Sequence, residues 1–114
     1  MSALIILNIL LFNLLGGKLM VKHIVMFKLI EKTSENMERA TNSLLSLKGK
    51  IETLKSIEIG TDFLGSDRSY DIVLIAHFEN REGLKIYGSH ENHLPVVKIM
   101  RSLCSSSVVV DYEL

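Results

Sequence analysis

The chain has 114 residues, 47% of them apolar and 23% charged, with 13 basic side chains set against 13 acidic ones. Such figures describe one globular domain with enough apolar mass for a core, and they exclude a disordered chain. The zero net charge removes the broad basic field through which proteins gather nucleic acid, and the single cysteine, Cys104, excludes an intramolecular disulfide and fits a reducing cytoplasm.

The first segment in chain order is an apolar leader, Ala3 to Leu15 (ALIILNILLFNLL), whose only polar members are Asn8 and Asn13. As a helix it would reach roughly 20 Å, short of the roughly 30 Å hydrocarbon core of a bilayer, so it does not read as a full membrane span. It also lacks the basic residues and small-residue cleavage site of a secretory signal. Gly16 and Gly17 punctuate it, and Met20 begins a clean strand pattern. The reading is an extension over residues 1–19 and a domain over 20–114. The leading expectation is translation from Met20; a membrane-associating segment, a helix docked on an apolar groove and a removed signal remain alternatives. Gly16-Gly17-Lys18 lacks both the strand and the spacing of a phosphate loop.

Val21 to Ile30 alternates, with Val21, His23, Val25, Phe27 and Leu29 on one face and Ile24, Met26 and Ile30 among the others, which predicts a first strand apolar on both sides. The period then changes: Met37, Ala40, Leu44, Leu47 and Ile51 recur every three or four residues. That predicts an amphipathic helix capped by Thr33 or Ser34 and ending near Gly49. Alternation resumes at Leu54 with Ile57, Ile59, Thr61 and Phe63 as a second strand, and the polar cluster Gly65 to Ser69 forms a turn. Tyr70 to Phe78 (YDIVLIAHF) is the most β-rich run. A second helical region follows, with Leu84, Tyr87, Leu94, Val97, Ile99 and Met100, broken near Gly88 and Pro95 into two pieces. Ser107 to Leu114 closes the chain as a β-branched strand.

The order βαββαβ predicts an α+β, ferredoxin-like fold: a four-stranded antiparallel sheet with helices on one face. The strands are apolar on both sides, so the uncovered face would be a large apolar patch. A homodimer with the two sheets face to face, a dimeric α/β barrel, resolves this.

The opening VKHIVMFKL, the run SDRSYD leading into IVLIAHF, the stretch Tyr87-Gly-Ser-His90-Glu-Asn-His93 and the closing SSSVVVDYE resemble the stress-responsive dimeric α/β barrel (Dabb) domain family over about Met20 to Asp111 or the end. The resemblance implies a homodimeric barrel of uncharacterised activity for most bacterial members. It also implies a possible relation to a plant branch that cyclises linear polyketides with a tyrosine and a histidine matching Tyr87 and His93, and with a first-strand histidine matching His23. The sequence departs from the common pattern at Glu91, where a proline often stands, and at Ile72, where that branch places a further histidine.

The residues suggest the same cluster. A histidine titrates near neutrality and a tyrosine hydroxyl can donate to a developing enolate, so Tyr87 and His93 are candidate acid and base, and the resemblance adds His23 as a third group. In a continuous helix six residues place two side chains about 240° apart, so their meeting requires a break between Gly88 and Asn92. The bland alternative packs Tyr87 and His23 in the core and has His93 order the loop before Pro95. Val25, Phe27, Leu84 and His90 are the expected ligand contacts. His90 and His93 lie three apart, but no third metal ligand is evident, and no metal or cofactor is expected. His77 shares a face with Asp71 and Glu79 at a solvent edge or dimer seam, and Cys104 reads as a half-buried thiol. The leading expectation is a homodimer that binds a small apolar or carbonyl ligand between sheet and helices; the alternatives are a cofactor-free cyclase, isomerase or lyase, and an interaction module held to membranes by the leader.

Overall fold

The computed structural model describes residues 2–7 and 20–114. Val21–Leu29 forms β1, Ser34–Leu45 α1, Ser56–Thr61 β2, Ile72–Phe78 β3, Arg81–Ser89 α2, Leu94–Leu103 α3 and Cys104–Glu113 β4. The strands make one sheet in the order β2-β3-β1-β4, and each neighbouring pair is antiparallel. This is the ferredoxin-like arrangement that the element order predicts, with the first strand lying beside the last.

Alternation in β1 decides which side is the core. Val21, Phe27 and Leu29 are buried with His23 and Val25 half-buried beside them. Their direct partners on β3, Phe78, Ala76, Leu74 and Ile72, lie opposite Val21, His23, Val25 and Phe27, and opposed residues in an antiparallel pair share a face. Helix α1 starts where Thr33 Oγ1 accepts from the Asn36 N–H at 3.1 Å, and it buries Ala40 and Leu44 against that layer. The chain then reverses at Gly49, whose φ of +76° suits glycine. Phe78, Leu47, Ile72 and Leu74 are the largest fully enclosed side chains.

The end of β1 is fastened by a buried carboxylate. Asp71 Oδ2 accepts from the Leu29 N–H at 2.8 Å, the Asp71 N–H donates to the Phe27 carbonyl at 2.8 Å, and Lys32 Nζ lies 3.5 Å from Asp71 Oδ1. Asp71 therefore does not share the surroundings of His77, contrary to the expectation from alternation. It precedes β3 and turns inward to satisfy a backbone donor, whereas His77 faces the other side and hydrogen-bonds Ser56 at 2.8 Å.

One further expectation is corrected. Phe63 is not in the second strand: the cross-strand bonds end with the Asp62 N–H donating to Asp71 O at 2.9 Å. Asp62 Oδ2 then accepts from the Gly65 N–H at 2.7 Å, turning the chain and leaving Phe63 99% exposed. The second helical region divides into two pieces between Gly88 and Pro95, as expected: the interruption is residues 90–93, with Gly88 in the last turn of α2 and Pro95 in the first turn of α3, where its missing N–H costs nothing.

Ile24, Met26, Val73, Ile75, Val108, Val110 and Tyr112 share the sheet face away from the helices, as the cross-strand pairs require. Val110 is 60% exposed, and Met26, Val108 and Tyr112 are exposed as well. Of the leader, residues 3–7 are helical, with the Ile5 N–H donating to Ser2 Oγ at 3.2 Å and Leu4, Ile5, Ile6 and Leu7 exposed. Residues 8–19 lie outside the described residues. Among the described residues no helix is long and apolar enough to cross a membrane.

Candidate functional site

A cavity of about 380 Å³ opens between the helix-facing side of β1 and helices α1 and α3, bordered by β4. Val25, Phe27 and Leu74 line it from the sheet, Leu44 from α1, and Val96, Val97 and Met100 from α3. Its ring-bearing end is formed by His23, Tyr87 and His93.

The sequence builds that end by ending one helix and starting another. Asn80 Oδ1 accepts from the Gly83 N–H at 2.8 Å and starts α2, which carries Tyr87 in its last turns. His90 then takes an extended backbone, φ −64° and ψ 140°, and the His93 N–H donates to His90 O at 2.9 Å as the chain turns into α3. This break closes the 240° gap of a continuous helix. The rings of Tyr87 and His93 lie 4.1 Å apart between centroids, inclined by 33°. Tyr87 also packs on Phe78 at 5.0 Å and meets His23 edge-on at 5.9 Å. The structure thus brings together the three residues singled out for chemistry.

Their proton chemistry follows from burial and partners. Tyr87 is 2% exposed, and loss of hydration raises its pKa from 10.0 to about 12, so its hydroxyl stays protonated as a donor. His93 Nδ1 lies 3.1 Å from the Gly88 carbonyl. A carbonyl only accepts, so Nδ1 carries the proton and Nε2 is left as the acceptor. Burial lowers the pKa of His93, outweighing the opposing effect of the Gly88 bond; His23 and His90 lower it further. His93 therefore both orders the loop and walls the cavity. His23 Nδ1 pairs with Asp111 Oδ1 across the β1–β4 seam, which fixes the ring and leaves Nε2 the other way.

Two expected ligand contacts are corrected. Leu84, one turn before Tyr87 on α2, lies in a separate depression with Val21, Arg81, Asp111 and Glu113. His90 does not border the cavity either: its Nδ1 accepts from the Asn92 N–H at 3.0 Å and its Nε2 lies 3.9 Å from Glu52. Being in the extended link, it turns toward the α1–β2 connection. His90 and His93 thus answer to different partners, and among the described residues no group of three or more His, Cys, Asp or Glu side chains could hold a metal ion. Cys104 lines the cavity half-buried, with its pKa raised by burial and then by Asp71, as suits an unreactive thiol.

Asp111 and the α3 residues Val96, Met100 and Arg101 were not among the sequence candidates. The helical period of α3 signals Val96 and Met100, but Asp111 is tied to His23 only by the β1–β4 register, which places them directly opposite.

The sequence model of the family described as Stress responsive A/B Barrel Domain (Dabb) matches residues 21–114. No curated protein sequence matches the chain. Among solved structures, a dimeric ferredoxin-like protein of unknown function from Thermobifida fusca is 23% identical with a TM-score of 0.76, covering 85% of this chain and 92% of its own. A dimeric protein of unknown function and ferredoxin-like fold from Bacteroides fragilis is 33% identical with a TM-score of 0.71, covering 83% and 96%. The hydroxynitrile lyase of Passiflora edulis is 20% identical with a TM-score of 0.73, covering 83% and 93%. With the family match spanning all but the leader, and the sheet order and helix placement derived above, the chain belongs to the stress-responsive A/B barrel (Dabb) family.

Proposed function

We propose that the protein is a cytoplasmic homodimer in which each copy holds a small apolar or carbonyl-bearing molecule in the cavity beside His23, Tyr87 and His93. The observation that carries this reading is the composition of that cavity: an apolar floor of Val25, Phe27 and Leu74 beneath a few convergent polar ring groups, the pattern of a ligand site. The exposed face of Met26, Val108 and Val110 supports the dimer, because a stable partner would bury an area on the order of 800 Å² on each side. The Thermobifida and Bacteroides structures are described as dimeric. Titration of ¹⁵N-labelled protein with 2-decanone, an uncharged ketone with an apolar tail, tests the ligand. Amide shifts concentrated at Val25, Tyr87 and Val97 are expected; shifts that are absent or scattered over the surface would end the reading.

A second reading is proton transfer without a cofactor, in a lyase or isomerase. It rests on one feature: the free Nε2 of His93 as base and the tightly held proton of Tyr87 as donor sit in adjacent rings. A base removing a proton beside a ketone needs such a donor at the developing oxyanion. The neighbour from Passiflora edulis is described as a hydroxynitrile lyase. Polyketide cyclisation is the less supported form, since Ile72 is buried in the core and brings no third imidazole. Deuterium exchange at the α-carbons of 2-decanone discriminates: exchange above the buffer rate that His93→Ala abolishes supports catalysis, and exchange at the buffer rate leaves binding alone.

A further inference from the structure

The cavity is not symmetric along its length. Ser107 lies directly opposite Phe27, four residues along β1 from His23, a span of about 13 Å at roughly 3.3 Å per residue. Helix α3 covers the same distance: from His93 to Arg101 is eight residues, about 12 Å at 1.5 Å each. One end is therefore the histidine and tyrosine cluster, and the other is Arg101 with Cys104 and Ser107, all of them in the wall.

The charge on this wall is one-sided. Arg101 is its only permanently charged residue, and no aspartate or glutamate lines it. Among the described residues no side chain pairs with the Arg101 guanidinium. Behind the wall each end has one carboxylate that is already paired: Asp111 with His23 and, near Cys104, Asp71 with Lys32. Among the described residues Arg101 is thus the one charge that faces the cavity without a partner, and it draws an anionic group to its end. A guanidinium also offers paired donors that match a carboxylate.

We propose that the Arg101 end is a carboxylate subsite and that the ligand is an amphipathic acid of medium chain length. Its carboxylate lies against Arg101 and Ser107, its chain runs over Val25, Phe27 and Met100, and a carbonyl or hydroxyl group reaches Tyr87 and His93. This rests on the ligand-site reading above and names its substrate class.

Calorimetric titration at low ionic strength with decanoate and 2-decanone, both below their aggregation limits, tests it on the full chain. Decanoate should bind at least tenfold more tightly than the ketone. Arg101→Gln, at an exposed helical position and checked for fold by circular dichroism, should bring the two to equal affinity, and Arg101→Lys should keep part of the preference. Equal binding in the natural protein, or a preference that survives in Arg101→Gln, overturns the carboxylate subsite while leaving the cavity reading in place. Failure of both probes to bind overturns the cavity reading itself.

Discussion

Two side chains, His93 and Asp71, show how single residues tie stability to the site. Burial keeps the pKa of His93 below its ordinary 6.5, so just below that pH the folded chain holds fewer protons than the unfolded one. The stability from this group is complete above pH 6.5 and is lost as pH falls through that value toward the folded pKa. The urea midpoint should decline between about pH 7 and 5, and His93→Gln, which keeps a donor for the Gly88 carbonyl, should flatten the decline; an equally steep profile in the variant would contradict this. At Asp71 the concern is a buried backbone donor. Asp71→Ala removes the acceptor of the Leu29 N–H and should cost about 1–3 kcal/mol in urea denaturation. A loss below a few tenths of a kcal/mol would mean that water replaces the carboxylate. Asp71 was misplaced by alternation because residues flanking a strand follow local hydrogen-bonding needs, which period-two patterns do not encode.

At the scale of elements, the site depends on where α2 begins and ends. Asn80→Ala removes the side-chain acceptor for the Gly83 N–H and should lower stability by about 1 kcal/mol. The same change should broaden the Tyr87 and His93 ring resonances, since fraying α2 loosens the stack; sharp, unshifted rings would show that the core alone positions Tyr87. The sequence showed that Tyr87 and His93 could meet only through an interruption, and residues 90–93 provide it. The break falls between the two residues that signal it, because Gly88 is tolerated at the end of a short capped helix and Pro95 favours the first turn of the next. Phe63 departs from the pattern: an apolar residue in phase with a strand continues it only if its backbone still finds a partner. Strand and helix existence were visible in periodicity. The pairing of His23 with Asp111 was not, because register arises from the assembled sheet rather than from either strand.

For the whole molecule, two-sided apolar strands expose a face that one copy of the chain does not cover, and this was readable from alternation in β1 and the valines of β4. Val110→Glu places a charge in the middle of that face. The substitution should convert the dimer to a monomer in light scattering while preserving the fold, because Val110 is exposed in the single chain; a dimer that survives would place the interface elsewhere. The cavity lies on the opposite side of the sheet, so loss of the dimer should leave 2-decanone binding within about threefold, less than 0.7 kcal/mol.

The most direct measurement is native mass spectrometry of the protein purified from its own source, beside a Val97→Trp variant that fills the cavity. The expected result is a dimer retaining a small organic molecule that Val97→Trp cannot retain. A monomer, or a dimer whose retained molecule persists when the cavity is filled, would contradict a dimeric barrel that holds its ligand beside His23, Tyr87 and His93.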